Sequence, residues 1–142
     1  MNVIYTAIGT AIGGRTGSAS SSDGALAVKL VRPQELGGTG KGGTNPEQLF
    51  ACGYAACFAS TLDHLAGQKK LLLPNNEITA YIGLSRRAEG GFGLTAKLEI
   101  NLGNLRKEDA DALVAQAHTI CPYSNSIAGN VAVELVVTRV GS

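Results

Sequence analysis

One stretch, Asn45 to Leu65, NPEQLFACGYAACFASTLDHL, constrains this chain more than any other. It opens on an unusually complete helix start. Asn45 is a good N-cap, Pro46 suits the first helical position, Glu47 lies in the first turn where the dipole favours an acid, and Gln48 can complete a capping box. From Leu49 to Leu65 the pattern then has almost no polar face, and a helix apolar all round is a buried one. Gly53, Ala56 and Ser60, at spacings of three and four, would let another backbone approach closely. The occupant that fits such a groove is a second helix, such as the same helix of another subunit.

Strand signals surround this helix. Val3 to Ile12 is rich in β-branched residues, GGRTG (Gly13 to Gly17) marks a bend, SSDG (Ser21 to Gly24) closes a hairpin, and Leu26, Val28 and Leu30 alternate along a third strand. The loop ELGGTGKGGT resembles a phosphate-cradling sequence, but Lys41 is followed by two glycines instead of opening a helix, so a surface loop is expected. Beyond the helix, Ile78, Ala80, Ile82 and Leu84 line one face of a strand, and Leu94, Ala96, Leu98, Ile100 and Leu102 one face of the next, with AEGGFG as the turn. A second helix is predicted from about Arg106 to His118, burying Ala110, Leu113, Val114 and Ala117 and stopping at Cys121 before Pro122. A last strand covers Val131 to Val140. The order βββ-α-ββ-α-β defines an α+β domain with helices packed on antiparallel sheet, and 142 residues fit one domain, 1–142.

Charge excludes some functions. Twelve basic residues against eleven acidic ones leave no footprint for nucleic acid or anionic membrane. No apolar run approaches the ~20 residues that span a bilayer, and MNVIYTAIGTAIGGRTG lacks the charged start of a signal peptide, so a soluble intracellular protein is expected. In that compartment three cysteines are not a secreted disulfide framework; metal binding, redox chemistry and inert burial remain.

Cys57 lies too far along the helix for the dipole at its start to activate it, so activation must come from a tertiary contact. Arg15, displayed among the three glycines of GGRTG, is the best candidate, against the plainer reading of an exposed turn arginine. Glu47 could orient it through a bidentate pair, and could equally be only a capping acid. Ten residues separate Glu47 from Cys57, roughly 15 Å along one helix, so a shared site needs either Arg15 to bridge part of the gap or Glu47 to come from an antiparallel partner helix. Cys121, at a helix C-terminus, is a poor first nucleophile but suited to attack an oxidised partner. Cys52, five residues before Cys57, is rotated from it by about 140° and is expected to pack. A zinc site from His118 with Cys121, or Cys57 with His64, lacks the close cysteine pairing of strong zinc motifs. A hydrolase built on Cys57, Asp63 and His64 or His118 has its nearer histidine about 10 Å along the helix axis from the thiol.

Together, GGRTG, NPEQLFACGYAACF and AHTICPYSN resemble, in order and over essentially the whole chain, the organic hydroperoxide resistance (Ohr) proteins of the Ohr/OsmC superfamily. The resemblance implies a cytoplasmic, homodimeric, thiol-dependent peroxidase with antiparallel sheets wrapped around two buried central helices in an intertwined dimer. It implies Cys57 as the peroxidatic cysteine, Cys121 as the resolving cysteine, Arg15 as the activating arginine and Glu47 as its carboxylate partner. No metal or organic cofactor is implied. The expected substrate is an organic hydroperoxide of fatty-acid or aryl type, and the expected reductant is the dihydrolipoyl group of lipoylated proteins. Cys52 departs from the family pattern, where a small residue such as alanine is expected. The nearest alternatives are an OsmC-type peroxidase and a non-enzymatic thiol redox sensor.

Overall fold

A computed structural model describes residues 1–74 and 76–141. The chain divides into two compact units, 1–49 and 50–142. In the first, β1 (Gly9–Ile12), β2 (Ser18–Ser21) and β3 (Ala27–Lys29) form an antiparallel sheet in that order. The first strand is shorter than its β-branched run suggested: Val3, Ile4 and Tyr5 are exposed and lie outside any strand. The glycine-rich loop after Pro33 carries one turn of tight helix, Gln34–Leu36, and no longer helix.

Helix α1 (Pro46–Gln68) begins where its start signal placed it. The Asn45 side chain accepts the Gln48 backbone N–H at 2.9 Å, but the capping box is only half made, because the Gln48 side chain accepts the Thr44 hydroxyl at 2.7 Å instead of turning back to Asn45. In the second unit α1 buries one stripe, Tyr54, Phe58, Leu62, Leu65 and Ala66. Its opposite stripe, with Cys52, Ala56 and Ser60, is exposed in the single chain. Burial on every side was expected; one chain supplies only half of it.

Strands β4 (Glu77–Arg86) and β5 (Phe92–Arg106) form an antiparallel hairpin in which the two predicted apolar faces meet pair by pair: Ile78 opposite Ile100, Ala80 opposite Leu98, Ile82 opposite Ala96, Leu84 opposite Leu94. Helix α2 (Lys107–Ile120) buries the four residues its periodicity named, Ala110, Leu113, Val114 and Ala117. A short helix, α3 (Pro122–Ile127), follows at once. Proline both ends α2 and occupies the first position of α3, the one helical position where its missing N–H costs nothing.

The final strand, β6 (Val133–Gly141), corrects the all-antiparallel reading. It pairs parallel with β5, Leu98 opposite Leu135 and Ile100 opposite Val137. The reason lies in the connection: parallel neighbours need a crossover of a dozen or more residues, and α2 with α3 provides it. The core of this unit joins α1, β5 and α2 through Phe58, Leu62, Leu98, Ile100 and Leu113, all fully buried.

Candidate functional site

Arg15 sits in a single tight turn, Gly14–Thr16, that follows β1. Glycine is required there. Gly13 and Gly14 take left-handed backbone angles, and a Cβ on Gly17 would lie 1.7 Å from the Ile12 carbonyl oxygen. The guanidinium thrown out by this turn donates from Nη1 to Glu47 Oε2 at 2.8 Å and from Nη2 to Glu47 Oε1 at 2.6 Å. This is a bidentate pair, made within one chain. It leaves both side chains partly buried. The hydrogen bonds from Arg15 hold the Glu47 carboxyl below its ordinary value, and Glu47 in turn raises Arg15 further above the physiological range.

In the second unit, α1 carries Cys57 and the junction of α2 with α3 carries Cys121. The junction is pinned on both sides. The Cys121 backbone N–H closes the last turn of α2 on the Ala117 carbonyl at 2.8 Å, and its own carbonyl accepts the Asn125 N–H at 3.0 Å, opening α3. Between them Cys121 is extended, φ −61° and ψ 126°, as a residue before proline prefers. Its thiol, fully buried, points at the Cys57 sulfur with 3.9 Å between the Sγ atoms, and both cysteines are free. Burial pushes the Cys57 thiol above its ordinary value; a hydrogen bond from the Tyr123 backbone N–H opposes this, and the nearby Cys121 adds to the rise.

The aromatic residues around the thiols form one cluster. The Tyr123 ring stacks on Tyr54 at 5.8 Å between centroids and leans on Phe50 at 5.7 Å, while Tyr54 meets Phe58 edge-on. Gly53 belongs to this cluster and not to the small-residue groove expected from its spacing: a Cβ there would stand 2.8 Å from the Tyr123 hydroxyl oxygen. Tyr54, Phe58 and Leu62 are wholly enclosed, so they pack the core, whereas Phe50 and Tyr123 keep partial exposure.

The remaining candidates fall elsewhere. Cys52 is exposed rather than packed. His64 bonds to Gln68 at 3.2 Å and Asp63 accepts from Asn76 at 2.9 Å, so neither serves Cys57. Among the described residues, no three metal-binding side chains gather around one point. The His118 Nδ1 bonds to Ser124 at 3.0 Å, and the same buried hydroxyl bonds to the Tyr54 hydroxyl at 2.7 Å. Sequence patterns gave Ser124 no role. Its partners, Tyr54 and His118, lie on two other helices, so local sequence held no signal for it.

Comparison with known proteins follows the same lines. The family model described as OsmC-like protein matches residues 38–136. An organic hydroperoxide resistance protein of Xanthomonas axonopodis pv. citri is 49% identical over 136 residues, covering 95% of each chain. Among solved structures, an organic hydroperoxide resistance protein from Legionella pneumophila superposes with a TM-score of 0.91 at 46% identity, covering 99% of this chain and 100% of its own. The OhrB protein of Bacillus subtilis superposes with a TM-score of 0.87 at 42% identity, covering 94% and 98%.

Proposed function

The chain belongs to the OsmC-like family, among its organic hydroperoxide resistance proteins, and from that premise we propose that it reduces organic hydroperoxides with Cys57 as nucleophile and Cys121 as resolving thiol. The observation that supports this most is the 3.9 Å between the two sulfurs, across helices whose cysteines stand 64 positions apart in sequence. Two free thiols at that separation need to close by only about 2 Å to bond.

The Cys57 thiolate attacks the distal oxygen of ROOH; the O–O bond breaks, RO⁻ leaves and takes up a proton as the alcohol, and Cys57 becomes a sulfenic acid. The Cys121 sulfur then displaces water from that sulfenic acid, forming the Cys57–Cys121 disulfide and losing its proton. A dithiol, for which the dihydrolipoyl group of a lipoylated protein is the proposed donor, attacks the disulfide through a mixed disulfide and leaves both cysteines reduced. Since burial and the neighbouring thiol hold Cys57 up, the charge that makes it a thiolate comes, in this reading, from Arg15, kept in place by Glu47. The partly exposed rings of Phe50 and Tyr123 suit a fatty-acid or aryl chain better than hydrogen peroxide. The working unit in this reading is a homodimer, and the apolar N-terminal residues Val3, Ile4 and Tyr5, exposed in the single chain, support a second copy.

Turnover of cumene hydroperoxide with a lipoamide reducing system tests the reading. Consumption should be sustained, faster than with hydrogen peroxide, and abolished by Cys57→Ser. Cys121→Ser should perform one round and leave Cys57 as sulfenate. Oxidation without turnover by any dithiol would identify a sensor instead.

A further inference from the structure

The hydroxyl of Ser124 stands at a meeting point that the peroxidase reading leaves unused. It is 2% exposed, and it bonds to Tyr54 on α1 and to His118 on α2. Tyr54 precedes Cys57 by three residues, His118 precedes Cys121 by three, and Ser124 follows Cys121 by three. Tyr54 and Cys57, three apart within α1, lie on one side of that helix, while His118 and Ser124 sit in the two helices that flank the extended Cys121. One hydroxyl therefore ties together the turn of α1 that carries the first sulfur, the turn of α2 that leads to the second, and the turn of α3 that follows it. The tie can be fully made: the serine hydroxyl has one proton and two lone pairs, so it donates to one partner while accepting from the other, or accepts from both. A buried hydroxyl with two side-chain partners from two other helices is a specific arrangement for a serine, a residue whose hydroxyl commonly bonds to nearby backbone.

We infer that Ser124, held between Tyr54 and His118, is a positioning residue for disulfide formation, setting the approach of the Cys121 sulfur to Cys57. This rests on the assignment of those two cysteines as a redox couple. The geometry explains why positioning matters at this step. The sulfurs stand at 3.9 Å, outside the roughly 3–3.5 Å of a near-attack arrangement, and a misplacement of about 1 Å is enough to cost about a hundredfold in rate. The backbone of Cys121 is fixed at both ends by helical hydrogen bonds, so the residual freedom is the tilt of the α2–α3 turn relative to α1. The Ser124 bonds restrain that tilt directly. Peroxide attack needs no such restraint, since it involves the Cys57 sulfur alone.

The test separates the two steps. In a Cys52→Ala background, which removes the exposed extra thiol, one equivalent of cumene hydroperoxide is added to reduced protein, and sulfenate and disulfide are followed by rapid quench and mass spectrometry. Ser124→Ala, Tyr54→Phe and His118→Leu should each slow disulfide formation by about tenfold or more while attack changes by less than about threefold. The longer-lived sulfenate should then be trapped by dimedone and over-oxidised to sulfinic acid at lower peroxide concentrations. His118→Asn, which offers an amide where Nδ1 stands, should recover most of the rate lost in His118→Leu. If Ser124→Ala does not fold, the Tyr54 and His118 variants decide alone. Folded variants that form the disulfide at the parent rate, or that lose attack and resolution by the same factor, overturn the inference and leave the peroxidase reading standing. A parent protein that forms no Cys57–Cys121 disulfide at all ends both.

Discussion

Arg15 and Glu47 hold their charges against one another through two short hydrogen bonds, and the consequences can be read with pH. The Glu47 carboxyl lies below the ordinary glutamate value near 4.3. A depressed acid contributes stability that is complete above its unfolded-state pKa and is lost as pH falls through the folded-state one. Glu47→Gln should therefore lower the unfolding free energy measured by urea titration at pH 7, by on the order of 1 kcal/mol for a partly exposed pair, and the two proteins should converge as the pH falls through the folded-state Glu47 pKa. Equal values at pH 7 would show the pair to be idle. For Cys57 the sign is opposite, since burial, with Cys121 beside it, pushes its thiol up. If Arg15 is what brings it down, then in Arg15→Ala, again without Cys52, the rate of Cys57 alkylation should rise with pH only through and above the ordinary thiol value near 8.5. In the parent it should level off lower. Coincident profiles would remove Arg15 from the mechanism.

At the scale of elements, periodicity carried most of the information. The buried faces of α2 and of the β4–β5 hairpin were readable residue by residue, because a period of 3.6 or 2 records which side meets the core. The bidentate chemistry of Arg15 with Glu47 was readable as a possibility from residue type, but only coordinates could bring a turn and a helix start within hydrogen-bond range. Helix α3 was missed because proline was read as a terminator alone, and with it went Ser124, whose partners sit on two other helices and leave no mark in local sequence. The parallel entry of β6 was likewise a property of the crossover and not of the strand's own residues. On α1 the all-round apolar pattern outran what one chain buries, and the exposed stripe through Cys52 and Ala56 is what remains over. If a second copy covers it, light scattering should give twice the chain mass, and Ala56→Arg should shift the protein toward monomer. A monomeric parent would leave that stripe unexplained.

Across the whole molecule, the charged pair belongs to residues 1–49 and the thiols to residues 50–142. The proposed chemistry needs a contribution from each. Oxidation, however, makes its bond within the second unit, and its cost and benefit are felt there. Joining α1 to the α2–α3 turn closes a loop between cysteines 64 positions apart, and chain-entropy reasoning gives a crosslink over such a loop about 4 kcal/mol against unfolding. Thermal unfolding should accordingly set in higher for the disulfide form than for the dithiol form, by several degrees; identical melting curves would mean that the bond strains the fold as much as it restrains the unfolded chain. Starved of reductant, a population of such molecules would accumulate in its hardier form: spent protein would be stored rather than lost, ready to resume work when dithiol returns.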